Sequence, residues 1–272
     1  MPPTFGLIVV GDEILSGRRS DKHLAKVIEL LGARGLQLAW AEYVGDEPAR
    51  ITAVLRRAFA SGDVVFCTGG IGATPDDHTR ACAAAALGVP LALHPEAQRL
   101  IEQRGEALAR AEGRPWEPAS ADNRQRLKMG EFPQGAAIIP NPYNQIPGFS
   151  CVGERGGTIH FMPGFPVMAW PMIEWVLDMH YTVHFNRSAW QERSIIVFGA
   201  AEAVLTPLME RIEAGHPGVK VFSLPSVDHP TYGRHIDLGV KGAPEAVAVA
   251  FADLKAGLAP FGLRCGPEIV RP

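Results

Sequence analysis

The chain has 272 residues, of which 47% are hydrophobic and 20% are charged, and its formal net charge is -3. This length suffices for one large domain, or for a large and a small one, with a buried core. The slight acidity argues against a nucleic-acid partner, because binding to a phosphate backbone normally goes with a clear excess of Lys and Arg.

The N-terminus and the cysteines predict a cytoplasmic protein without a membrane partner. The opening MPPTFGLIVV has no basic segment, and its apolar run is too short for a signal peptide. The longest apolar stretch, residues 81–93, contains Gly88 and Pro90 and is too short to span a bilayer. The four cysteines are far apart and form no CxxC pair, as expected of reduced thiols in the cytoplasm.

The first two thirds of the chain alternate short apolar runs with amphipathic segments. The predicted strands are residues 5–10, 36–44, 63–67, 136–139 and 158–161. The predicted helices are residues 24–31, 51–58, 77–87, 94–111 and 165–179. Strands that alternate with helices in this way predict an α/β domain over residues 1–185, with a doubly wound, mostly parallel sheet covered on both faces.

After about residue 185 the pattern changes. The predicted elements are strand 193–198, helix 202–213, strands 219–224 and 234–240, helix 243–258 and a short strand near 261–264. This βαββαβ order is the split βαβ arrangement of a small ferredoxin-like α+β domain. We therefore predict a second domain over residues 186–272, joined to the first through residues 186–190.

A Gly-rich loop, TGGIGATPDDHT at residues 68–79, connects the third predicted strand to a helix. Its glycines permit backbone angles closed to other residues and let a ligand approach the main chain. Consecutive amides, together with the positive end of the following helix, can then hold a phosphate. The loop matches neither GxxxxGK[ST] nor GxGxxG, which excludes an ATPase P-loop and a standard dinucleotide site. The predicted ligand contacts are Thr68, Gly69, Gly70, Gly72 and Thr79.

The loop also contains two adjacent acids, Asp76 and Asp77. Carboxylates repel phosphate, and the conflict disappears if they bind Mg²⁺ or another divalent cation, which is commonly held by one or two carboxylates and substrate phosphates. Alternatively, Asp76 caps the helix and Asp77 favours its dipole.

Further polar residues follow the first two strands. GDEILSGR at residues 11–18 places Ser16 and Arg18 where they can bind the ligand, Arg18 as a bidentate phosphate partner or as a solvated surface residue. Glu13 and Asp46 are candidates for the same cation site, or are turn residues like Asp12.

Two later loops complete the predicted site. In NPYNQIPGF, Asn141 and Asn144 offer donors and acceptors to a heterocycle or ribose, and they also suit a plain turn. Gly164 in MPGFP is a second position of close ligand approach, or part of a strand-to-helix turn. His180 and His184 have i, i+4 spacing, but no acid separates them as in HExxH, so we do not expect them to bind a metal.

At GDEILSGR, VGD, TGGIGATPDDHT, PNPYNQIPGF and MPGFP the sequence resembles the molybdopterin-binding domain family, in particular the branch at the N-terminus of the competence/damage-inducible protein CinA. The resemblance covers residue 5 to about residue 180, and we expect it to extend to the small following domain. It implies a three-layer α/β/α fold, a pterin or nucleotide pocket lined by these loops, and a homo-oligomer. The family commonly has Gly and then Ala before Pro-Gly in the fourth motif, where this chain has Asn144 and Ile146, and these bulkier residues would narrow the pocket or alter what it binds.

The resemblance implies three alternative functions for one phosphate site. In the CinA branch, the domain is linked to metal-dependent cleavage of the pyrophosphate in ADP-ribose or FAD-like molecules. In the molybdenum-cofactor branch, related domains adenylylate molybdopterin, and two acids that match Asp46 and Asp77 here are associated with the ligand and metal site. We therefore expect Asp77 and Asp46 to be the catalytic and metal-binding residues. The third alternative is a module that binds molybdopterin without turnover. CinA itself usually carries a further C-terminal deamidase domain, and this sequence, which ends at Pro272, is not expected to have that activity.

Overall fold

The computed structural model describes residues 3–186 and 191–271. The chain divides into two compact units, residues 1–185 and 186–272. Of the predicted join at residues 186–190, residues 187–190 lie outside the described part of the chain. Among the helices that are described, none has both the length and the apolar character needed to cross a bilayer.

The first unit contains one six-stranded sheet and a separate two-stranded one. Its strands are β1 (Phe5–Val10), β2 (Leu38–Val44), β3 (Val64–Thr68), β4 (Leu91–Leu93), β5 (Glu131–Pro133), β6 (Ala137–Ile139), β7 (Gly148–Val152) and β8 (Thr158–Met162). Its helices are α1 (Asp12–Leu15), α2 (His23–Gly32), α3 (Pro48–Ser61), α4 (Thr79–Leu87), α5 (Pro95–Ala111), α6 (Ala121–Leu127) and α7 (Pro166–His180).

The large sheet has the order β2-β1-β3-β8-β7-β6. The first four strands run parallel, whereas β7 is antiparallel to β8 and β6 is antiparallel to β7. β4 pairs antiparallel with β5. The prediction of a mostly parallel sheet is confirmed, but the sequence pattern missed β7, because its first residue lies in a Pro-Gly segment typical of a loop.

Helices cover both faces of the large sheet, as the alternation of side chains along a strand requires. Every residue of β1 is buried. Ile8 belongs to the same core as Leu55 of α3, whereas its neighbour Leu7 belongs to a second core with Leu31 of α2 and Val176 of α7. The three-layer α/β/α prediction is confirmed.

The second unit consists of β9 (Gln191–Val197), α8 (Glu202–Gly215), β10 (Lys220–His229), β11 (Gly233–Gly242), α9 (Pro244–Leu258) and β12 (Cys265–Arg271). Its sheet has the order β10-β11-β9-β12 with every neighbouring pair antiparallel, which is the split βαβ topology. The predicted last strand is present, but its predicted position near 261–264 is wrong. Ala259–Phe261 forms a 3-10 turn and Gly262 has a φ of 62°, so the strand begins only at Cys265.

Candidate functional site

A cavity of about 600 Å³ lies where the parallel strands of the large sheet end. Gly11 follows β1, Asp46 follows β2, the Gly-rich loop follows β3 and Gly164 follows β8, and all of these line the cavity. Open α/β sheets bind ligands at the carboxyl ends of their strands. The topology therefore brings loops that are distant in sequence to one site.

The structure brings together most of the residues predicted for this site. The predicted residues that line the cavity are Glu13, Arg18, Asp46, Gly69, Gly70, Gly72, Asp76, Asp77 and Gly164. Thr68 lines an adjoining cavity of about 370 Å³, and Thr79 is fully buried. Ser16 ends α1 and lines neither cavity.

Asn141 and Asn144 also line neither cavity. Asn141 Nδ2 donates to Asn144 Oδ1 at 2.8 Å and to the Ile146 carbonyl at 3.0 Å, and Asn141 Oδ1 accepts the Tyr143 amide at 3.0 Å. These bonds fix the loop before β7. The structure thus gives the two asparagines the turn role that the sequence left open.

The carboxylate of Asp77 organises the Gly-rich loop. Its Oδ1 accepts the Gly72 amide at 2.8 Å, and its Oδ2 accepts the Thr74 amide at 2.8 Å and the Thr74 hydroxyl. A carboxylate has about four lone-pair sites, so three of them serve the loop. α4 begins only at Thr79, and Asp77 therefore lies outside the first turn, where the dipole alternative had placed it.

Two peptide planes turn loop amides away from the core. The Gly70 carbonyl accepts the Thr79 amide at 3.0 Å, and the Gly72 carbonyl accepts Arg80 Nη2 at 2.6 Å. In a trans peptide the N–H points opposite to the carbonyl, so the amides of Ile71 and Ala73 point away from these partners. Both residues line the cavity, and in the described part of the chain neither amide has an acceptor. We call this pair of amides the phosphate seat, because N–H groups without a protein acceptor beside a cavity are suited to bind an anion.

The loop needs its glycines for steric reasons. Gly69 has a φ of 101° and Gly70 a φ of 67°. A Cβ at Gly69 would collide with the Val10 carbonyl oxygen, and one at Gly70 with the Thr79 hydroxyl. At Gly164 a Cβ would make only an ordinary van der Waals contact, 3.4 Å from the Gly69 Cα. Close packing of the loop against the end of β1 and the start of α4 therefore shapes the seat.

Acidic residues concentrate at the ends of β1 and β2. Asp46 Oδ2 accepts the Asp12 amide at 2.9 Å, and the Asp46 amide donates to Asp12 Oδ1 at 3.2 Å. Burial raises the pKa of Asp46, the Asp12 amide lowers it, and the negative charges of Asp12, Glu13 and Asp76 raise it further.

These carboxylates suit a cation that takes its remaining ligands from a substrate. Within residues 3–186 and 191–271, no group of three or more His, Cys, Asp or Glu side chains is placed to hold a metal by itself. Mg²⁺ does not need such a cage, since it usually keeps waters and takes one or two carboxylates plus substrate phosphates. The mutual repulsion around Asp46 is what a bound cation relieves.

The structure adds residues that the sequence analysis missed. Arg19 lines both cavities, and its guanidinium lies 5.8 Å from the centre of the Phe165 ring, which also lines both. His23 lines the smaller cavity, and its Nε2 lies 3.1 Å from the Gly164 carbonyl oxygen. Apolar residues, including Val9 and Ile14, complete that smaller cavity. A signal for Arg19 was present in the sequence, because it directly follows Arg18, the last residue of the GDEILSGR motif.

The comparison with known proteins assigns the family. Residues 6–181 match the model of a probable molybdopterin-binding domain. The chain belongs to the molybdopterin-binding domain family. A protein of Pyrobaculum calidifontis is 30% identical over 257 residues, which are 93% of this chain and 94% of that protein.

CinA-like proteins are among the relatives of this molybdopterin-binding family member. A CinA-like protein of Anaeromyxobacter sp. is 35% identical over 61% of this chain, which spans only 38% of that protein. The crystal structure of the protein CinA with unknown function from Thermoplasma acidophilum superimposes with a TM-score of 0.54 and 28% identity, over 64% of this chain and 97% of that one. The resemblance to the CinA branch is confirmed.

Proposed function

We propose that the chain binds a phosphorylated pterin or nucleotide in the two adjoining cavities and cleaves a pyrophosphate bond with the help of a divalent cation. The observation that carries the proposal is the phosphate seat: the amides of Ile71 and Ala73 have no acceptor among the described residues, and both residues line a cavity that acids and arginines also line. Family membership supports a pterin-type ligand.

The two cavities suit different parts of the proposed ligand, the charged phosphates and the flat ring. The larger cavity has the amide pair, Arg18 and Arg19, which suit phosphate oxygens. The smaller cavity combines apolar side chains with polar and charged ones, among them Lys22, His23 and Thr68, and this mixture suits a heteroaromatic ring with polar edges. Val10, Glu13, Arg19, Gly164 and Phe165 line both cavities, so that one ligand would occupy both.

One or two of the carboxylates that line the larger cavity would hold the cation together with the phosphates of the ligand, Asp46 with either Asp76, Asp77 or Glu13. When bound, the cation supplies positive charge to the phosphate oxygens and to a coordinated water. The amides of Ile71 and Ala73 would stabilise charge that develops on the phosphate oxygens. Attack of water on one phosphorus forms a P–O bond and breaks the bridging P–O bond. The products are two phosphate monoesters and a released proton.

A turnover assay tests both halves of the proposal. The protein is incubated with ADP-ribose or FAD, with and without Mg²⁺ or Co²⁺, and AMP is quantified. Metal-dependent AMP release that Asp46→Asn abolishes is expected. Binding without AMP release would overturn the hydrolysis and leave a binding module. AMP transfer from ATP to molybdopterin would instead identify a nucleotidyl transferase.

If the wild-type protein binds none of these nucleotides, the proposed ligand site is itself wrong. Isothermal titration with ADP, as the shortest diphosphate probe, measures binding independently of turnover. Homo-oligomerisation, which the family resemblance implies, stays a prediction that light scattering tests.

A further inference from the structure

Arg80 is a buried guanidinium behind the Gly-rich loop, in the first turn of α4. Only 7% of the residue is exposed. Its Nη2 donates to the Gly72 carbonyl at 2.6 Å, while among the described residues its Nε and Nη1 have no hydrogen-bond partner. An apolar side chain at this position would avoid the cost of burying a cation with open donors. The arrangement therefore calls for a reason beyond packing.

The charges around Arg80 belong to the loop and its neighbour. Burial lowers the pKa of Arg80, and the negative charges of Asp77 and Glu131 raise it. Arginine stays protonated in proteins, so the guanidinium keeps its positive charge here. This charge lies on the side of the Gly72 peptide opposite to the phosphate seat.

The single bond from Arg80 fixes the orientation of one seat amide. Because the Gly72 carbonyl and the Ala73 N–H belong to one planar peptide, holding the carbonyl against Arg80 keeps the N–H turned toward the other side of the loop. Glycine at position 72 would otherwise let this peptide rotate at little steric cost. A rotated peptide would present a carbonyl oxygen, which repels phosphate.

We propose that Arg80 is a positioning residue for phosphate recognition: it locks the Gly72–Ala73 peptide with its N–H toward the ligand and adds positive charge behind the seat without touching the ligand. The inference rests on the proposed function, since it assumes that a phosphate occupies the seat. The proposal therefore concerns phosphorylated ligands, because a neutral ring gains no affinity from the fixed N–H or from the nearby positive charge.

Gln125 in α6 offers a matched control, because its side chain binds the same loop. Its Nε2 donates to the Ala73 carbonyl at 2.8 Å, so it tethers the next peptide along the chain. That peptide turns its N–H, which belongs to Thr74, toward Asp77 and not toward a ligand. Gln125→Ala therefore removes a tether of the same kind but leaves both seat amides in place.

The experiment measures the affinities of ADP and adenosine for the wild type, Arg80→Met, Arg80→Lys and Gln125→Ala by isothermal titration. Arg80→Met is expected to weaken ADP binding about tenfold, the order of a lost amide contact and a lost nearby charge, with adenosine binding unchanged. Arg80→Lys, which keeps the charge and one donor, should lose less. Gln125→Ala should stay within about twofold of the wild type for both ligands.

The ratio of the two affinities separates positioning from simple structural support. Equal losses for ADP and adenosine, or unchanged ADP binding by Arg80→Met, would overturn the inference. If Arg80→Met does not fold, Arg80→Lys takes its place. The inference is contradicted if Arg80→Lys keeps the wild-type ratio of ADP affinity to adenosine affinity while Gln125→Ala lowers that ratio. A wild type that binds adenosine but gains nothing from the phosphates of ADP would overturn the proposed function, and this inference with it.

Discussion

The Gly72 amide donates to Asp77 Oδ1 at 2.8 Å, a bond that closes the Gly-rich loop on itself. The loop therefore carries its own negative charge at the same cavity that Ile71 and Ala73 line. A loop shaped before the ligand arrives loses less conformational entropy on binding.

Asp77→Asn should loosen the loop and weaken ligand binding. Asparagine keeps one acceptor and places an NH₂ group against an amide donor of Gly72 or Thr74, which costs about 1–3 kcal/mol for an unsatisfied buried group. We expect faster amide hydrogen exchange in residues 70–77 and a lower affinity for ADP. Asp122→Asn, at an exposed position in α6, is the control. Unchanged exchange in the loop would show that Asp77 does not organise it.

Gly69→Ala should destabilise the protein much more than Gly17→Ala. Both glycines have a positive φ, 101° and 73°, and alanine pays about 1–2 kcal/mol for such a conformation. Gly17 has open space around it, whereas a Cβ at Gly69 collides with the Val10 carbonyl oxygen. Urea unfolding of the two variants measures the difference. Equal losses would mean that backbone conformation alone, without the close packing, explains the glycine at 69.

His160 should make the stability depend on pH in mildly acidic solution. Its ring lies between Ser150 Oγ at 2.7 Å and the Tyr181 hydroxyl at 2.8 Å. Burial lowers the pKa of His160 to about 3, and the charge of His180 lowers it as well. The unfolded chain binds this proton at a pKa of about 6.5, so the folded state loses stability as the pH falls from about 6.5 toward 3.

The expected loss between pH 7 and pH 5 is about 2 kcal/mol, at about 1.4 kcal/mol per pH unit below the unfolded pKa. Carboxylates contribute to the same profile, so the informative quantity is the difference between the wild type and His160→Gln. The variant should show a shallower fall of the free energy of unfolding over this range. Parallel profiles would contradict a neutral, buried His160.

One thiol should react in the folded protein. Cys67, Cys82 and Cys151 are buried, whereas Cys265 is exposed. Burial raises the pKa of Cys67, and it raises that of Cys151 to about 12, so that their reactive thiolates are scarce at pH 8. Titration with a thiol reagent is expected to label Cys265 rapidly, and Cys265→Ser to remove that phase. Rapid labelling of the Ser variant would indicate that a buried cysteine is accessible.

Mg²⁺ should strengthen ADP binding through Asp46. The repulsion among Asp46, Asp12, Glu13 and Asp76 disfavours the ionised Asp46, and a cation shared with a diphosphate relieves it. Coupling between two such ligands is typically about 1–3 kcal/mol, or roughly 5–150-fold in affinity. Asp46→Asn should reduce the gain, and chelation with EDTA should abolish it in the wild type. Asp122→Asn should keep the full effect.

The sequence determined the main architecture because most of the long strands and helices are encoded locally, whereas the short β4, β5 and α6 and the strand β7 were not predicted. The apolar run of β1 and the i, i+3, i+4, i+7 spacing from Leu24 to Leu31 specify a buried strand and a one-sided helix without reference to the rest of the chain. The glycines at positions 69, 70 and 72 likewise mark a close backbone approach, because few other demands place glycines so densely between a strand and a helix.

The tertiary structure alone decided what the polar side chains do. Asp77 and Asn141 have the same chemistry in a turn as in a ligand site, and only the positions of their hydrogen-bond partners distinguish the two roles. Arg80 stands in an Ala-rich helix with no sequence signal for a buried cation. Its contact to the Gly72 carbonyl depends on the direction of one peptide plane, and that direction is set by packing across β3, α4 and the loop between them.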